Sequence, residues 1–273
     1  MTLLLTPKDN GKVLDLGSQI FSAPRKDNSP AIVFERGTKD ITLRNFKVSK
    51  GRNIRVHGSG HIIEDAVLDT YGVGIFVESG AHHITISTND IKAGAVGIYL
   101  EHGSHHNLVE HNTIHDCGYW ADQARLPFRV PRMGWDRREG IAVDASTDNV
   151  IQYNTLRDNA FAGICLYRNC GEQGEPVRKQ GANRNVIYGN EITGSKVEVW
   201  NAAREWRDML MWDCSCGGEW VDLKDVPKQP YQQWFNWACL LTPLVIKEAK
   251  FRWPIRRKIW VVPDEAEDNV ISS

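Results

Sequence analysis

The sequence predicts an all-β solenoid, in which short strands coil repeatedly around one axis. The first observation is a strand motif that begins with glycine and isoleucine and recurs at Gly74, Gly97, Gly140 and Gly163. The spacing is 23 residues within the first pair and again within the second pair. Between the pairs it is 43 residues, which is one period plus an insertion of 20. A fixed period of this length is typical of repeat architectures.

Two further observations define the coil. An asparagine closely followed by isoleucine or leucine comes after each motif, at Asn89, Asn112, Asn154 and Asn190, and Asn45 and Asp65 are expected to begin the same column. Short apolar strands lie between the two motifs, at Ile84/Ile86, Leu108/Val109, Val150/Ile151 and Val186/Ile187. Strands this short must pair with the coils above and below, about 4.8 Å away. The predicted fold is therefore a right-handed parallel β-helix, with stacked asparagines hydrogen-bonded at a corner.

The chain is divided into three parts by its repeats. We expect the β-helix over residues 1–200, with strands at 13–16 and 31–34 in the opening coil. Residues 201–257 are expected to form a tryptophan-rich, partly helical insertion or cap, because Trp206, Met209 and Leu210 follow helical spacing. Residues 258–273 are a candidate final coil, since Ile259–Val262 and Asn269–Ile271 echo the earlier motifs.

Composition excludes several classes of protein. Lys and Arg number 33 against 34 Asp and Glu, which gives no basic footprint for nucleic acid or for a membrane surface. No apolar stretch is long enough to span a bilayer. The N-terminus lacks the features of a secretory signal, so we expect a cytoplasmic protein, or a secreted or periplasmic one whose signal was removed. The six cysteines lack paired CxxC spacing, and no cofactor is required by any motif.

The repeat of residues 38–200 resembles those of the right-handed β-helix superfamily, which includes pectate-lyase-like enzymes, alginate lyases and mannuronan C5-epimerases. The resemblance implies this fold and a polysaccharide or oligosaccharide substrate. The matching residues are scaffold glycines and asparagines. The sequence has neither the Asp-Pro-His-Asp run of the C5-epimerases nor the polygalacturonase signatures, so no catalytic role is carried over.

Alternation along the first strand of each coil predicts the outward face. If Ile75 and Val77 point inward, Phe76 and Glu78 point outward. Register between coils then predicts two outward columns: Phe76, Tyr99, Ala142 and Cys165, followed by Glu78, Glu101, Asp144 and Tyr167. Carboxylates roughly 5 Å apart repel by about 3 kcal/mol at an effective dielectric of about 20. A bound Ca²⁺, arginines such as Arg138 and Arg168, or one protonated acid would relieve the repulsion, and a solvated ladder is the alternative.

Two insertions are expected to flank this face and form a groove. The segment from Gly118 to Glu139 precedes the Gly140 strand, and Gly171 to Gly181 follows the Gly163 strand. Aromatic and arginine side chains together suit a sugar that carries carboxylates. The predicted substrate-binding residues are Phe76, Tyr99, Trp120, Trp135, Arg137, Arg138 and Arg168, and the alternative is that these loops only shield a strand edge.

The histidines are confined to residues 57–115, and His82/His83 and His105/His106 repeat at the 23-residue period. This spacing favours a structural stack at a turn, with a metal or anion site as the alternative. His102 is the best catalytic histidine because it adjoins Glu101. It can share the outward face only if the strand has ended before it.

The sequence predicts a carbohydrate-active enzyme, with a polysaccharide lyase or C5-epimerase as the leading hypothesis. Arginine or a cation would neutralise the uronate carboxylate, and His102 or Tyr167 would exchange the C5 proton. The alternative is a glycoside hydrolase that uses two of Glu78, Glu101 and Asp144. A second alternative is a carbohydrate-binding β-helix without catalysis.

Overall fold

A computed structural model describes residues 2–22, 29–119, 139–168, 180–195, 197–201, 207–209, 219–222, 258–262 and 269–272. These residues form strands with one short 3₁₀ turn at Pro7–Asp9. In chain order the strands are β1 Leu3–Leu5, β2 Val13–Phe21, β3 Ile32–Phe34, β4 Thr42–Gly51, β5 Ile54–Val56, β6 Ile62–Thr70, β7 Ile75–Val77, β8 Thr85–Ser87, β9 Asp90–Ala93, β10 Ile98–Leu100, β11 Leu108–Glu110, β12 Thr113–His115, β13 Ile141–Asp144, β14 Val150–Gln152, β15 Thr155–Arg157, β16 Ala162–Tyr167, β17 Val186–Tyr188, β18 Glu191–Thr193, β19 Val197–Asn201, β20 Arg207–Met209, β21 Glu219–Asp222, β22 Lys258–Val262 and β23 Val270–Ser272.

Two parallel sheets build the solenoid. Sheet 1 has the order β1-β3-β5-β7-β10-β13-β16-β19. Sheet 2 contains the long strands β2, β4 and β6. Beyond β6 each coil contributes two short strands to it, because β6 pairs with both β8 and β9. The coil therefore has three sides, and the predicted all-β right-handed parallel β-helix is confirmed.

Inward isoleucines form the core of sheet 1. Ile75, Ile98, Ile141 and Ile164 occupy one column and are fully buried. Burying each such side chain contributes about 1.5–3 kcal/mol to folding. The glycine before each isoleucine is required sterically, since a Cβ on Gly97 would lie 2.5 Å from the carbonyl oxygen of Gly140.

Asparagine ladders connect the coils at two corners. The predicted ladder contains Asn89, Asn112, Asn154 and Asn190, in which Nδ2 of Asn112 donates to Oδ1 of Asn154 at 2.9 Å. A second buried ladder follows the first side of each coil, through Asn107, Asn149, Asn185 and Asn269.

Asn45 and Asp65 do not begin the predicted column. Ala66 occupies that position, because its backbone N–H donates to Asn89 Oδ1 at 3.0 Å. Asn45 and Asp65 lie one residue earlier, with φ of 57° and 52°. Asparagine and aspartate tolerate this left-handed conformation, so Asn45 and Asp65 occupy the corner turn and not the buried column.

The C-terminal part differs from the sequence expectation. Strands β20 and β21 pair antiparallel with β22, so Met209 lies in a strand, whereas Trp206 and Leu210 of the predicted helix lie outside the described residues. At Met209, pairing with a distant strand outweighed the local helical spacing. Strand β23 stacks in parallel on β17, whereas β22 lies outside both solenoid sheets. No helix in the described ranges is long and apolar enough to cross a membrane.

Candidate functional site

The outward face of sheet 1 carries the predicted columns. Tyr99 pairs in register with Phe76 on one side and with Ala142 on the other, and Asp144 pairs with Tyr167. The face divides into two halves. Phe76 and Tyr99 are partly accessible, whereas every residue of β13 and β16 is buried.

An aromatic row occupies the accessible half, and we define it as Arg55, Phe76 and Tyr99. The rings of Phe76 and Tyr99 stack with centroids 5.0 Å apart and planes 8° apart. The guanidinium carbon of Arg55 lies 5.9 Å from the Phe76 centroid, a cation–π distance. Because the two rings stack on each other, their facing surfaces are covered, and a ligand on the sheet meets their edges.

Each carboxylate of the outward column, Glu78, Glu101 and Asp144, has a different side chain as its partner. Glu78 forms an ion pair with Arg55, Glu101 pairs with His102 at 2.8 Å, and Asp144 accepts from Tyr99 at 2.6 Å. These contacts stabilise carboxylates that would otherwise repel one another. The sequence predicted that an arginine would relieve the repulsion between these carboxylates. For Glu78 that arginine is Arg55.

Glu101 and His102 form a dyad at the end of β10. Glu101 Oε1 accepts from the backbone N–H of His102 at 3.1 Å and lies 2.8 Å from its Nδ1. Strand β10 ends at Leu100, so the alternation of side chains ends there and His102 can turn to the same side as Glu101. With Glu101 ionised, Nδ1 must donate, which leaves Nε2 as the basic nitrogen.

The imidazole of His102 is accessible. Its side chain is 39% exposed, and within the part of the chain that the structure describes Nε2 has no hydrogen-bond partner. A carboxylate that orients an imidazole and stabilises its protonated form is the arrangement of a general base. The dyad is therefore chemically competent to remove a proton from a ligand on this face.

Asp144 and Tyr167 form the closed part of the site, and the half-buried Tyr99 adjoins them. Asp144 is 0% and Tyr167 2% exposed, and Tyr167 belongs to a small buried cluster with Val96, Ala142, Ala162 and Cys165. Burial, and then the nearby Tyr167 and Asp144, hold the pKa of Tyr99 well above its usual range, so its hydroxyl remains a donor. The catalytic roles predicted for Asp144 and Tyr167 stay predictions, and their burial favours a supporting role.

The predicted binding arginines and tryptophans are only partly described. Arg168 directly follows β16 and is 8% exposed. Trp120, Trp135, Arg137 and Arg138 lie outside the described residues. Sequence reasoning missed Arg55, although the strand Ile54-Arg55-Val56 has the same alternation as Ile75-Phe76-Val77. The repeat motif was not recognised at this strand because Asn53 stands where the later motifs begin with glycine.

The Ca²⁺ predicted for the carboxylate column stays a prediction. Among the described residues no group of three or more His, Cys, Asp or Glu side chains could hold a metal ion. The carboxylates of Glu78, Glu101 and Asp144 are engaged by Arg55, His102 and Tyr99.

The chain belongs to the right-handed β-helix family. The family model described as the right handed beta helix region matches residues 31–204, which contain sheet 1 from β3 to β19 and therefore the aromatic row and the carboxylate column. No curated protein sequence matches the chain significantly.

The chain is similar to several solved structures. The enzymatically active domain of bacteriophage CBA120 tailspike protein 2 is 14% identical, with a TM-score of 0.43 over 72% of this chain and 32% of that one. The A-module of Azotobacter vinelandii mannuronan C-5 epimerase AlgE6 is 12% identical, with a TM-score of 0.37 over 73% of this chain and 54% of that one. An alginate lyase from Paenibacillus sp. str. FPU-7 is 14% identical, with a TM-score of 0.30 over 69% of this chain and 80% of that one. The chain thus spans about a third of the first and about half of the second.

Proposed function

We propose that this protein is a carbohydrate-active enzyme that binds a polysaccharide along the outward face of sheet 1 and abstracts the C5 proton of a uronate residue. The reaction is then that of a lyase or a C5-epimerase. The observation that carries the proposal is the Glu101–His102 dyad, which stands at the end of the strand that holds Tyr99.

The aromatic row supports carbohydrate binding. Its members lie on three successive coils, about 4.8 Å apart, so a chain laid along the solenoid axis meets one after another. The ring edges offer apolar contact for sugar C–H groups, and Arg55 offers a cation. Because Arg55 is 45% exposed while it pairs with Glu78, its guanidinium retains donors for a substrate carboxylate.

The dyad supports proton abstraction. His102 Nε2 takes the C5 proton, and the electron pair moves toward the substrate carboxylate, whose charge an arginine stabilises. In a lyase the C4–O bond then breaks, a C4–C5 double bond forms and the leaving oxygen gains a proton. In an epimerase a proton returns to C5 from the opposite face. Both courses use the same first step.

The test is an incubation of the full chain with a panel of uronate polysaccharides in D₂O. A rise in ultraviolet absorbance reports the unsaturated product of a lyase, and deuterium at C5 without that rise reports an epimerase. We expect His102→Gln to lower the rate by about 10²–10⁴-fold, the usual contribution of a general base. His111→Asn, on another face, is the control and retains the wild-type rate. No turnover of any uronate polymer by the wild type overturns the proposal.

A glycoside hydrolase is the second candidate. Glu78 and Glu101 directly follow adjacent strands of sheet 1, so they are separated by roughly 5 Å, which would favour retention of configuration. The ion pair with Arg55 fixes the position of the Glu78 carboxylate, which suits a nucleophile. New reducing ends, without unsaturation and without deuterium at C5, would identify this activity.

A further inference from the structure

Four histidines form an array at the corner that follows the first side of the coil. We define the imidazole array as His82 and His83 on one coil and His105 and His106 on the next. The rings of His82 and His105 stack with centroids 5.0 Å apart and planes 5° apart. Those of His83 and His106 stack at 5.3 Å and 14°. The proposed uronate chemistry does not use this array.

The corner conformation brings consecutive histidines together. Neighbouring side chains in a strand point to opposite faces. His83 and His106 instead have φ of 56° and 54°, which turns each ring toward its predecessor. As a result Nδ1 of His82 lies 2.7 Å from Nδ1 of His83, and the same atoms of His105 and His106 are 2.8 Å apart. The convergence is repeated on both coils.

The convergent nitrogens form two chelating pairs. Only one proton fits between two Nδ1 atoms, so each pair holds a proton at the position where a metal ion binds after a small widening. A metal ion takes the place of that proton, so binding releases it.

The surroundings leave the pairs accessible. His83 and His106 are exposed, and His82 and His105 are half-buried. Asp148, whose charge acts on His105 and His106, forms two hydrogen bonds of 2.7 Å with Arg184, so the histidines do not need to neutralise it. Each pair thus offers two imidazole nitrogens and leaves the remaining coordination positions to water.

We propose that each of the two histidine pairs in the imidazole array is a binding site for a first-row transition-metal dication, held by two protein ligands, with Cu²⁺ bound most tightly. Two adjacent nitrogens completed by water suit the tetragonal geometry of Cu²⁺, and imidazole binds Cu²⁺ more strongly than Ni²⁺ or Zn²⁺. One pair fills first. The second ion binds at least roughly tenfold more weakly, because two dications one coil apart repel each other.

The test uses tag-free full-length protein titrated with Cu²⁺ alone, followed by calorimetry and electron paramagnetic resonance. We expect a spectrum with coupling to two nitrogens, and a rise in the unfolding temperature, since an ion that binds only the folded state stabilises it. In His83→Asn/His106→Asn both pairs lose one nitrogen, and asparagine tolerates the left-handed backbone. We expect affinity to fall at least about 100-fold, as a chelate becomes a single ligand.

The matched control is His111→Asn. His111 has the same corner conformation, with φ of 54°, but stacks on Tyr153 and has no adjacent histidine. This variant should bind Cu²⁺ like the wild type. The single variants His83→Asn and His106→Asn each keep one pair and should bind one ion, which tests the proposal if the double variant fails to fold. Equal Cu²⁺ affinity in the wild type and the double variant overturns it.

Discussion

The hydroxyl of Tyr99 donates to Oδ2 of Asp144 at 2.6 Å, which links the accessible half of the outward face to its buried half. Asp144 is fully buried, and the raised pKa of Tyr99 keeps the hydroxyl protonated. The bond therefore fixes the last ring of the aromatic row against the following coil. Tyr99 acts as an anchor for the row and not as a base.

Tyr99→Phe should reduce the free energy of unfolding by about 1–3 kcal/mol, because a buried carboxylate loses a charge-assisted hydrogen bond while the ring is kept. Urea denaturation measures the loss. In an Asp144→Asn background the same substitution should cost less, since the charge is gone. Equal costs in the two backgrounds would show that this bond is not the cause.

Glu101→Gln should lower the catalytic rate at least about tenfold, and by less than His102→Gln, because the amide no longer stabilises the protonated imidazole. The expected loss is in kcat, with KM nearly unchanged, since the dyad acts on the transition state. The measurement is the kcat and KM of Glu101→Gln, from steady-state kinetics on the uronate polymer that the wild type turns over. A change in KM alone would assign Glu101 to binding.

His61 should make folding sensitive to acid. Its buried ring accepts from the backbone N–H of Ile41 at 3.1 Å and lies 3.0 Å from Thr38 Oγ1. Burial lowers its pKa below the ordinary 6.5. As the pH falls below about 6.5 the unfolded chain takes up a proton that the folded chain resists, so stability decreases, and above that pH the contribution is constant.

The measurement is the free energy of unfolding between about pH 7 and pH 5, the range in which His61 titrates when unfolded. His61→Gln should flatten the dependence on pH. Thr38→Val is the matched control, because it removes a contact of the ring and keeps the imidazole, so its slope should match that of the wild type. An unchanged slope in His61→Gln would locate the acid sensitivity elsewhere.

Gly97→Ala should destabilise the fold by about 1–3 kcal/mol, the usual cost of overpacking. The new Cβ would lie 2.5 Å from the Gly140 carbonyl oxygen and 2.6 Å from a methyl group of Ile114. Gly72→Ala is the control, since its nearest contact would be an ordinary 3.4 Å. Thermal unfolding compares the two, and similar midpoints would contradict the steric account.

The period of the sequence predicted which residues share a column, because one residue per coil occupies each position. The 23-residue spacing alone is enough to pair Phe76 with Tyr99. The period cannot predict where a side chain turns once its strand has ended, so the contact of Glu101 with His102 stayed an alternative. Burial of Asp144 depends on packing across coils, which a local pattern does not encode. The strand at Met209 likewise depends on a partner about 50 residues away.

Because the coils stack in register, the length of the outward face is a fixed multiple of the number of coils. Each coil adds one residue to every column and lengthens the outward face by about 4.8 Å. Removal of one complete coil between two glycines of the first motif would shorten the surface by that step and leave the neighbouring coils matched. The length of ligand that such a face can hold is therefore set by counting coils, independently of which chemical groups the coils display.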